Sequence, residues 1–290
     1  MNQNMPLSTV EVADIFRLFG DAYQQQHKLP LQHLKAMSAI QACRTAALGG
    51  HIEECDNNCG FTRISYNPCR NRHCPKCQTV GREQWLFKRK QELLPIVYYH
   101  VVFTIPAELN PITLINQKVV YDILFRAASE TLLQLGLDHK HLGAQLGIIA
   151  LLHTWGQTMI DHPHLHCIVT GGGLSKDGTR WIRPKKSTNK KDFFIHVNII
   201  SALFKKKFMA YLVEAYKDGS LKFVGSISHL QKPENFNALK QKLYDKKWVT
   251  YCENSARKPE NDVGIVIGVV LFFLWGDGRV RPNGTTNQQY

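Results

Sequence analysis

Acidic residues and long apolar runs are both scarce in this 290-residue sequence. Asp and Glu number 23 against 36 Lys and Arg, a formal charge of +13 with pI ≈ 9.4. That excess points first to nucleic acid as a partner and second to an anionic membrane surface. The longest apolar run, Val263–Trp275, has 13 residues, short of the ~20 that a membrane-spanning helix needs. The opening MNQNMPLSTVEVADIF lacks the basic stretch and apolar core of a signal peptide. A cytoplasmic location is the resulting expectation. There is no internal repeat and no low-complexity segment. Hydrophobic residues at 44% and charged residues at 20% describe a globular chain, long enough for one large or two modest domains.

What is present falls into two halves. Residues 8–25 read as a helix, opened by a capping box of Ser8 and Glu11, with Val12, Ile15, Phe19 and Tyr23 along one apolar face. A second helix is expected over 30–47, closed by Gly49-Gly50. Residues 51–81 lack helical periodicity and are rich in Cys, Asn, Arg and Pro; a basic helix follows over 82–95. The pattern then changes. Strands are expected at 98–106, 146–158 and 164–172, the last two as an antiparallel pair, with a short strand WVTYC near the end. Helices are expected over 112–135, 193–217 and 235–247, and 177–192 reads as a basic loop. The fold class is α+β: an N-terminal helical, metal-held domain over 1–95, then an antiparallel sheet covered by helices over 96–252.

Five of the eight cysteines lie between Cys55 and Cys77. In a reducing compartment such a cluster reads as a metal site before it reads as disulfides. Cys55-x₃-Cys59, fourteen residues, then Cys74-x₂-Cys77 match the two close pairs of a four-thiolate structural Zn²⁺ ribbon. Cys43, His51, Cys69 and His73 remain, as ligands of a second zinc or as packing and hydrogen-bonding residues. Arg70, Arg72 and Lys76 surround the cluster and suit docking on phosphates.

The stretch HPHLHC puts His162, His164 and His166 on alternate positions. In a strand, residues two apart face one way, so His164 and His166 share a side and Leu165 takes the other. Two imidazoles so placed can grip one divalent ion. The adjacent strand supplies His153 and Gln157 as further polar groups.

These blocks, in order, carry a resemblance. HTWGQT…HPHLHC resembles the His-hydrophobic-His signature of HUH endonucleases. CRTAALGGH, CRNRHCPKCQ, VVFTIPAELNP and HPHLHCIVTGGGLSKDGTRW resemble one branch of them, the zinc-binding, two-tyrosine transposases of rolling-circle insertion sequences. The resemblance covers roughly residues 10–251. It implies an HUH-type sheet with His164 and His166 holding Mg²⁺ or Mn²⁺ through a third polar ligand, and single-stranded DNA as substrate. Gln157 is expected as that third ligand because oxygen donors suit Mg²⁺; His153 and His162 are the alternatives. The implied reaction is attack of a tyrosine hydroxyl on a DNA phosphate, conserving the bond energy in a 5′-phosphotyrosine. Single strands are held by cations and stacking aromatics. The candidates are Arg70, Arg72, Lys76, Arg82, Trp85 and Lys88, and, after the histidine strand, Trp181, Arg183, Lys185 and Lys186.

One part of the family pattern is missing. The family carries Tyr-x₃-Tyr on a late helix, and no two of the ten tyrosines here stand four apart. Residues 253–290 differ from the expected continuation and read as an aberrant tail of a truncated or frameshifted copy. Two other readings remain open: a zinc-stabilised DNA-binding module without catalysis, and a zinc hydrolase using the histidines. The second wants a nearby general base, and Asp161 is the single close acid.

Overall fold

The computed structural model describes residues 10–56, 59–155, 160–184 and 195–254. The chain divides into two compact units, 1–92 and 93–290. The tail after residue 254, the apolar run 263–275, Ser8 and the second half of the basic loop, 185–192, lie outside the described residues.

The first unit opens with helices α1 (Val12–Gln26) and α2 (Leu31–Ala42). Helix α1 begins later than the Ser8 cap predicts. Glu11 is the N-cap, and its backbone N–H donates to the Asp14 carboxylate at 3.0 Å. The buried stripe of α1 also differs from the expected one. Ala13 and Gly20 are buried and Phe16 is partly buried, whereas Val12, Ile15, Phe19 and Tyr23 stay exposed. Gly20 faces Met37 and Gln41 of α2, and Gln41 Nε2 donates to the Phe16 carbonyl at 2.8 Å. These small side chains let the two helices approach, which a count of large apolar residues does not reveal. Strands β1 (Gly50–Glu54) and β2 (Thr62–Tyr66) form an antiparallel hairpin, Gly50 opposite Tyr66. Helix α3 (Pro75–Gln91) follows, with Pro75 in its first turn and Lys88, Arg89 and Lys90 in its last. Those cations suit the negative end of the helix dipole.

The second unit is built on strand β3 (Tyr98–Thr104). Helices α4 (Asn110–Ile115) and α5 (Gln117–Leu137) replace the one long helix read from periodicity. The break falls at Asn116. Its buried amide donates to the Ile112 and Lys222 carbonyls, both at 3.0 Å, and accepts from the Lys222 N–H at 2.7 Å. Strands β4 (Gln145–Trp155) and β5 (Asp161–Leu174) pair antiparallel as expected, and β6 (Trp181–Ile182) joins β5. Helices α6 (Val197–Lys217) and α7 (Pro233–Asp245) precede β7 (Thr250–Asn254). The main sheet runs β4-β5-β3-β7, so β5 is an inner strand.

One face of this sheet is covered by helices. Leu165, Cys167 and Val169 of β5 and Val101 and Phe103 of β3 point into the core. They meet Val120, Leu124, Ala127, Ala128 and Leu132 of α5, and Ile200, Phe204, Phe208 and Leu212 of α6. Both helical sets recur at three- and four-residue spacing, one stripe of a helix. Phe204 packs on Phe103 and Trp248, with ring centroids 4.7 and 5.7 Å apart. The alternate residues of β5, including His164 and His166, therefore take the other face. No described helix is long and apolar enough to cross a membrane.

Candidate metal centres

Two groups of metal-competent side chains converge among the described residues: Cys43, Cys69, Cys74 and Cys77, and His153, His164 and His166. In each, the ligand atoms lie within 4.8 Å of one another.

The thiol group is assembled by the ends of three elements. Helix α2 stops at Cys43, its C-cap, and Cys74 is the N-cap of α3, which places Cys77 one turn on. The hairpin supplies the fourth. Its base closes through Asn67 N–H to Gly49 O at 3.0 Å and Arg44 N–H to Asn67 O at 3.2 Å. The chain leaving β2 is thereby returned to the end of α2, and Cys69 lands beside Cys43. Cys77 Sγ stands 3.5 Å from Cys43 Sγ and 3.6 Å from Cys69 Sγ. Disulfide sulphurs sit at ~2.05 Å, so these contacts are not disulfide bonds. Corners of a tetrahedron around zinc at ~2.3 Å are about 3.8 Å apart, so the four sulphurs fit that ion. Burial pushes the Cys69 thiol up to about 12 and raises Cys74. Cys43 is lowered: hydrogen bonds from the Cys69 backbone and from the other three sulphurs outweigh its own burial.

This grouping departs from the sequence expectation. Cys74 and Cys77 meet Cys43 and Cys69, and not Cys55 and Cys59. Cys55 follows the end of β1, its N–H bonded to Phe61 O at 3.1 Å, and Cys59 is exposed. They occupy the hairpin tip, five residues of strand, or about 16 Å, from the base where the other thiols gather. His51 lies on β1 and is exposed, 3.4 Å from the Glu53 carboxylate. His73 accepts from Arg72 Nε at 3.3 Å. Burial, then Arg72 and His33, holds His73 below its usual range. Neither histidine is in the converging group.

The histidine group stands on the sheet face opposite α5 and α6. His153 of β4 is in register with His164 of β5, Leu151 with His166, and Val102 of β3 with His166. His153 Nδ1 lies 3.2 Å from His164 Nε2. That is close to the ~3 Å between neighbouring imidazole nitrogens on an ion at ~2.1 Å. His164 Nδ1 donates to the His162 carbonyl at 2.6 Å, which leaves Nε2 as the bare nitrogen. His166 Nδ1 lies 2.8 Å from His100 Nε2, and His166 Nε2 is buried with no hydrogen-bond partner. A buried, unpartnered nitrogen is costly unless it binds something. Burial, aided by the neighbouring imidazoles, pushes His164 down to about 4 and His166 down to about 3. Both are neutral at pH 7, the state that ligates metal.

The expected third ligand, Gln157, lies outside the described residues; the alternative His153 is in the group. His162 contributes its carbonyl, with its ring 5.2 Å from that of His164. Asp161 is absent from the group, and burial raises its carboxyl.

The basic candidates are dispersed. Arg70 and Arg72 are exposed, and Arg70 adopts φ 52°. Lys76 pairs with Glu11 at 2.6 Å and Arg82 with Glu83 at 2.9 Å. Arg89 stacks over Trp85 at 5.9 Å. Trp181 of β6 is half-buried and lies over Gly172, where a side chain would strike its indole; Arg183 is exposed. Lys185 and Lys186 lie outside the described residues. Sequence reasoning missed His100, an isolated histidine on β3 that becomes visible once β3 is paired beside β5.

Residues 15–105 match the family described as "Transposase zinc-binding domain", and residues 147–264 match the family described as "Putative transposase". The second match continues past Cys252, where the sequence resemblance was expected to end. The chain is 46% identical over 257 residues to "Putative transposase y4qJ" of Sinorhizobium fredii (strain NBRC 101917 / NGR234), covering 88% of this chain and 63% of that protein. It is 34% identical over 146 residues to "Transposase for insertion sequence element IS801" of Pseudomonas savastanoi pv. phaseolicola, covering 50% of this chain and 35% of that protein. The chain is thus similar to proteins named as transposases, and its first third matches the zinc-binding family model. It spans less than two thirds of either relative's length.

Proposed function

We propose that this chain is the zinc-binding and metal-binding part of a rolling-circle transposase, engaging single-stranded insertion-sequence ends. The observation that carries this is the convergence of His153, His164 and His166 on one face of the β4–β5 pair, with His164 held by the His162 carbonyl and His166 by His100. Both β5 imidazoles are neutral, and His166 Nε2 is buried with no hydrogen-bond partner. A divalent cation bound there would polarise a DNA phosphate. The protein's own part is to fix three imidazoles in one orientation on strands rather than loops. Of the two ions that the resemblance implies, Mn²⁺ accepts imidazole more readily than Mg²⁺, while later first-row ions bind it more tightly than either.

The thiol group serves a different purpose. With four sulphurs around zinc no coordination position is left for chemistry. Its role is to tie α2, the hairpin and α3 together, with Arg70 and Arg72 exposed beside it as phosphate contacts.

Within the 290 residues there is no Tyr-x₃-Tyr pair. We infer that the chain as given binds metal and DNA without forming the phosphotyrosine link. Incubation with single-stranded ends and Mn²⁺ tests this, and a covalent protein–DNA adduct contradicts it. Mn²⁺ titration of His164→Ala tests the site: affinity falls at least tenfold if the histidines hold the ion. Unchanged affinity would instead leave a zinc-stabilised DNA-binding module.

A further inference from the structure

Three features outside this reading are prominent: the exposed apolar face of α1, the unpartnered Asn110 and Asp161 oxygens near the β4–β5 turn, and His100. His100 leads furthest, because its geometry bears on a specific atom of the metal centre.

His100 lies on β3 two residues before Val102, and Val102 is the register partner of His166. Its ring is nearly parallel to that of His166, with an interplanar angle of 14° and centroids 5.0 Å apart. The Nε2–Nδ1 separation of 2.8 Å is a hydrogen bond. One of these two nitrogens carries the proton, and the surroundings of His166 decide which. If His100 donated, His166 would hold its proton on Nε2. That nitrogen is buried and has no partner, and an unsatisfied buried donor costs about 1–3 kcal/mol. If His166 donates from Nδ1 to His100, its Nε2 is left as a bare lone pair on the side away from His100. The second arrangement leaves no orphaned donor, and it is the one that presents a ligand.

His164 provides an internal comparison. Its Nδ1 is engaged by the His162 carbonyl, a backbone acceptor that fixes both tautomer and ring angle. Metal-bound histidines use such outer partners to set the nitrogen that faces the ion. On β5 the next inward histidine has no carbonyl to turn to, and a side chain of the neighbouring strand takes that place.

We propose that His100 is a positioning residue: by accepting from Nδ1 of His166 it holds that imidazole in the tautomer and orientation that aim Nε2 at the metal. This rests on the proposed metal site. His100 is not itself among the converging ligand atoms.

The test uses the full chain and two substitutions. His100→Phe keeps a flat ring and removes the acceptor. His100→Gln carries an amide oxygen at about the reach of Nε2 and restores one. Proton–nitrogen NMR of the metal-free protein reads the His166 tautomer directly: Nδ1–H in the wild type and in His100→Gln, and Nε2–H gaining population in His100→Phe. Mn²⁺ affinity, read by electron paramagnetic resonance of the free ion, is expected to fall about 10- to 100-fold in His100→Phe and to recover in His100→Gln. A His166 tautomer unchanged in His100→Phe overturns the proposal. So does a His100→Gln variant as weak as His100→Phe, which would make His100 a ligand. A wild type that binds no Mn²⁺ refutes the metal site itself, and the tautomer comparison still decides the role of His100. Thermal unfolding of both variants and their zinc content report whether the fold is kept.

Discussion

Replacing Cys43 or Cys69 with Ser is expected to release zinc and unfold the first unit, whereas Cys55→Ser and Cys59→Ser leave both intact. The magnitude follows from how little else holds that unit together. Its buried apolar cluster consists of Ala13, Ile40, Cys43 and Cys74, with Phe16, Cys69 and Cys77 partly buried against it. Among the described residues its large hydrocarbon side chains are Ile40 and Phe16, and burying such a side chain contributes about 1.5–3 kcal/mol. Ordering one residue's backbone costs about 1–2 kcal/mol, so a cluster this small offsets the ordering of only a few residues. Zinc bound by four thiolates contributes an apparent 10–16 kcal/mol, and that energy is folding energy. A serine in one corner leaves three sulphurs and forfeits much of it. The assay is zinc content by mass spectrometry after dialysis against a weak chelator, paired with thermal unfolding followed by circular dichroism. The wild type should retain the ion, Cys43→Ser and Cys69→Ser should lose it, and Cys59→Ser should match wild type in both readouts. Retention by Cys43→Ser together with loss from Cys59→Ser would refute the grouping and restore the pairing read from sequence.

Other expectations follow from the second unit. If the His153 imidazole is a ligand, His153→Ala should weaken Mn²⁺ binding at least tenfold; calorimetric titration checks this. Asn116→Ala removes three hydrogen bonds at the α4–α5 break and strands the Lys222 backbone, at about 2–4 kcal/mol, measurable by urea unfolding. Phe204→Ala opens a cavity between Phe103, Phe208 and Trp248 and should cost about 3–5 kcal/mol in the same measurement. Stability of the metal-free protein should fall as pH drops below the ordinary histidine value of ~6.5. His164 and His166 stay neutral in the fold down to about 4 and about 3, so between those limits the unfolded chain binds more protons. Their contribution is complete above pH ~6.5 and is lost as pH falls through the folded values; urea midpoints at pH 7 and pH 5 check the sign.

Much of the second unit is legible in the sequence because its elements bury a regular face. Leu124, Ala128, Leu132 and Leu135 keep one side of α5 apolar, and Leu165, Cys167 and Val169 alternate with His164 and His166. The side taken by the two histidines could be stated from that alternation alone. The β1–β2 hairpin is illegible for the opposite reason. Most of its side chains are exposed, so no period distinguishes it, and its register rests on backbone bonds and on Arg63 against Glu53. The zinc ligands were misgrouped as a consequence. Spacing alone cannot choose between Cys55/Cys59 and Cys43/Cys69 as companions of Cys74 and Cys77. The choice is made by where the hairpin's base lies, and Gly49-Gly50 with Asn67 were its only trace. Strand register sets His153 opposite His164, a pairing that ligand chemistry alone does not reveal.

The histidines also sit where the sheet is least free to open. At His164 and His166 strand β5 is bonded on one side to β4 and on the other to β3. The imidazoles of His164 and His166 project from the face of the sheet, so reaching them does not require β5 to part from either neighbour. Amide protons of residues 164–168 should then be among the slowest in the chain to exchange with deuterium, opening only with the whole unit. The two β5 imidazoles would keep their places through fraying of β7 or β6, whereas His153 rides on the edge strand β4.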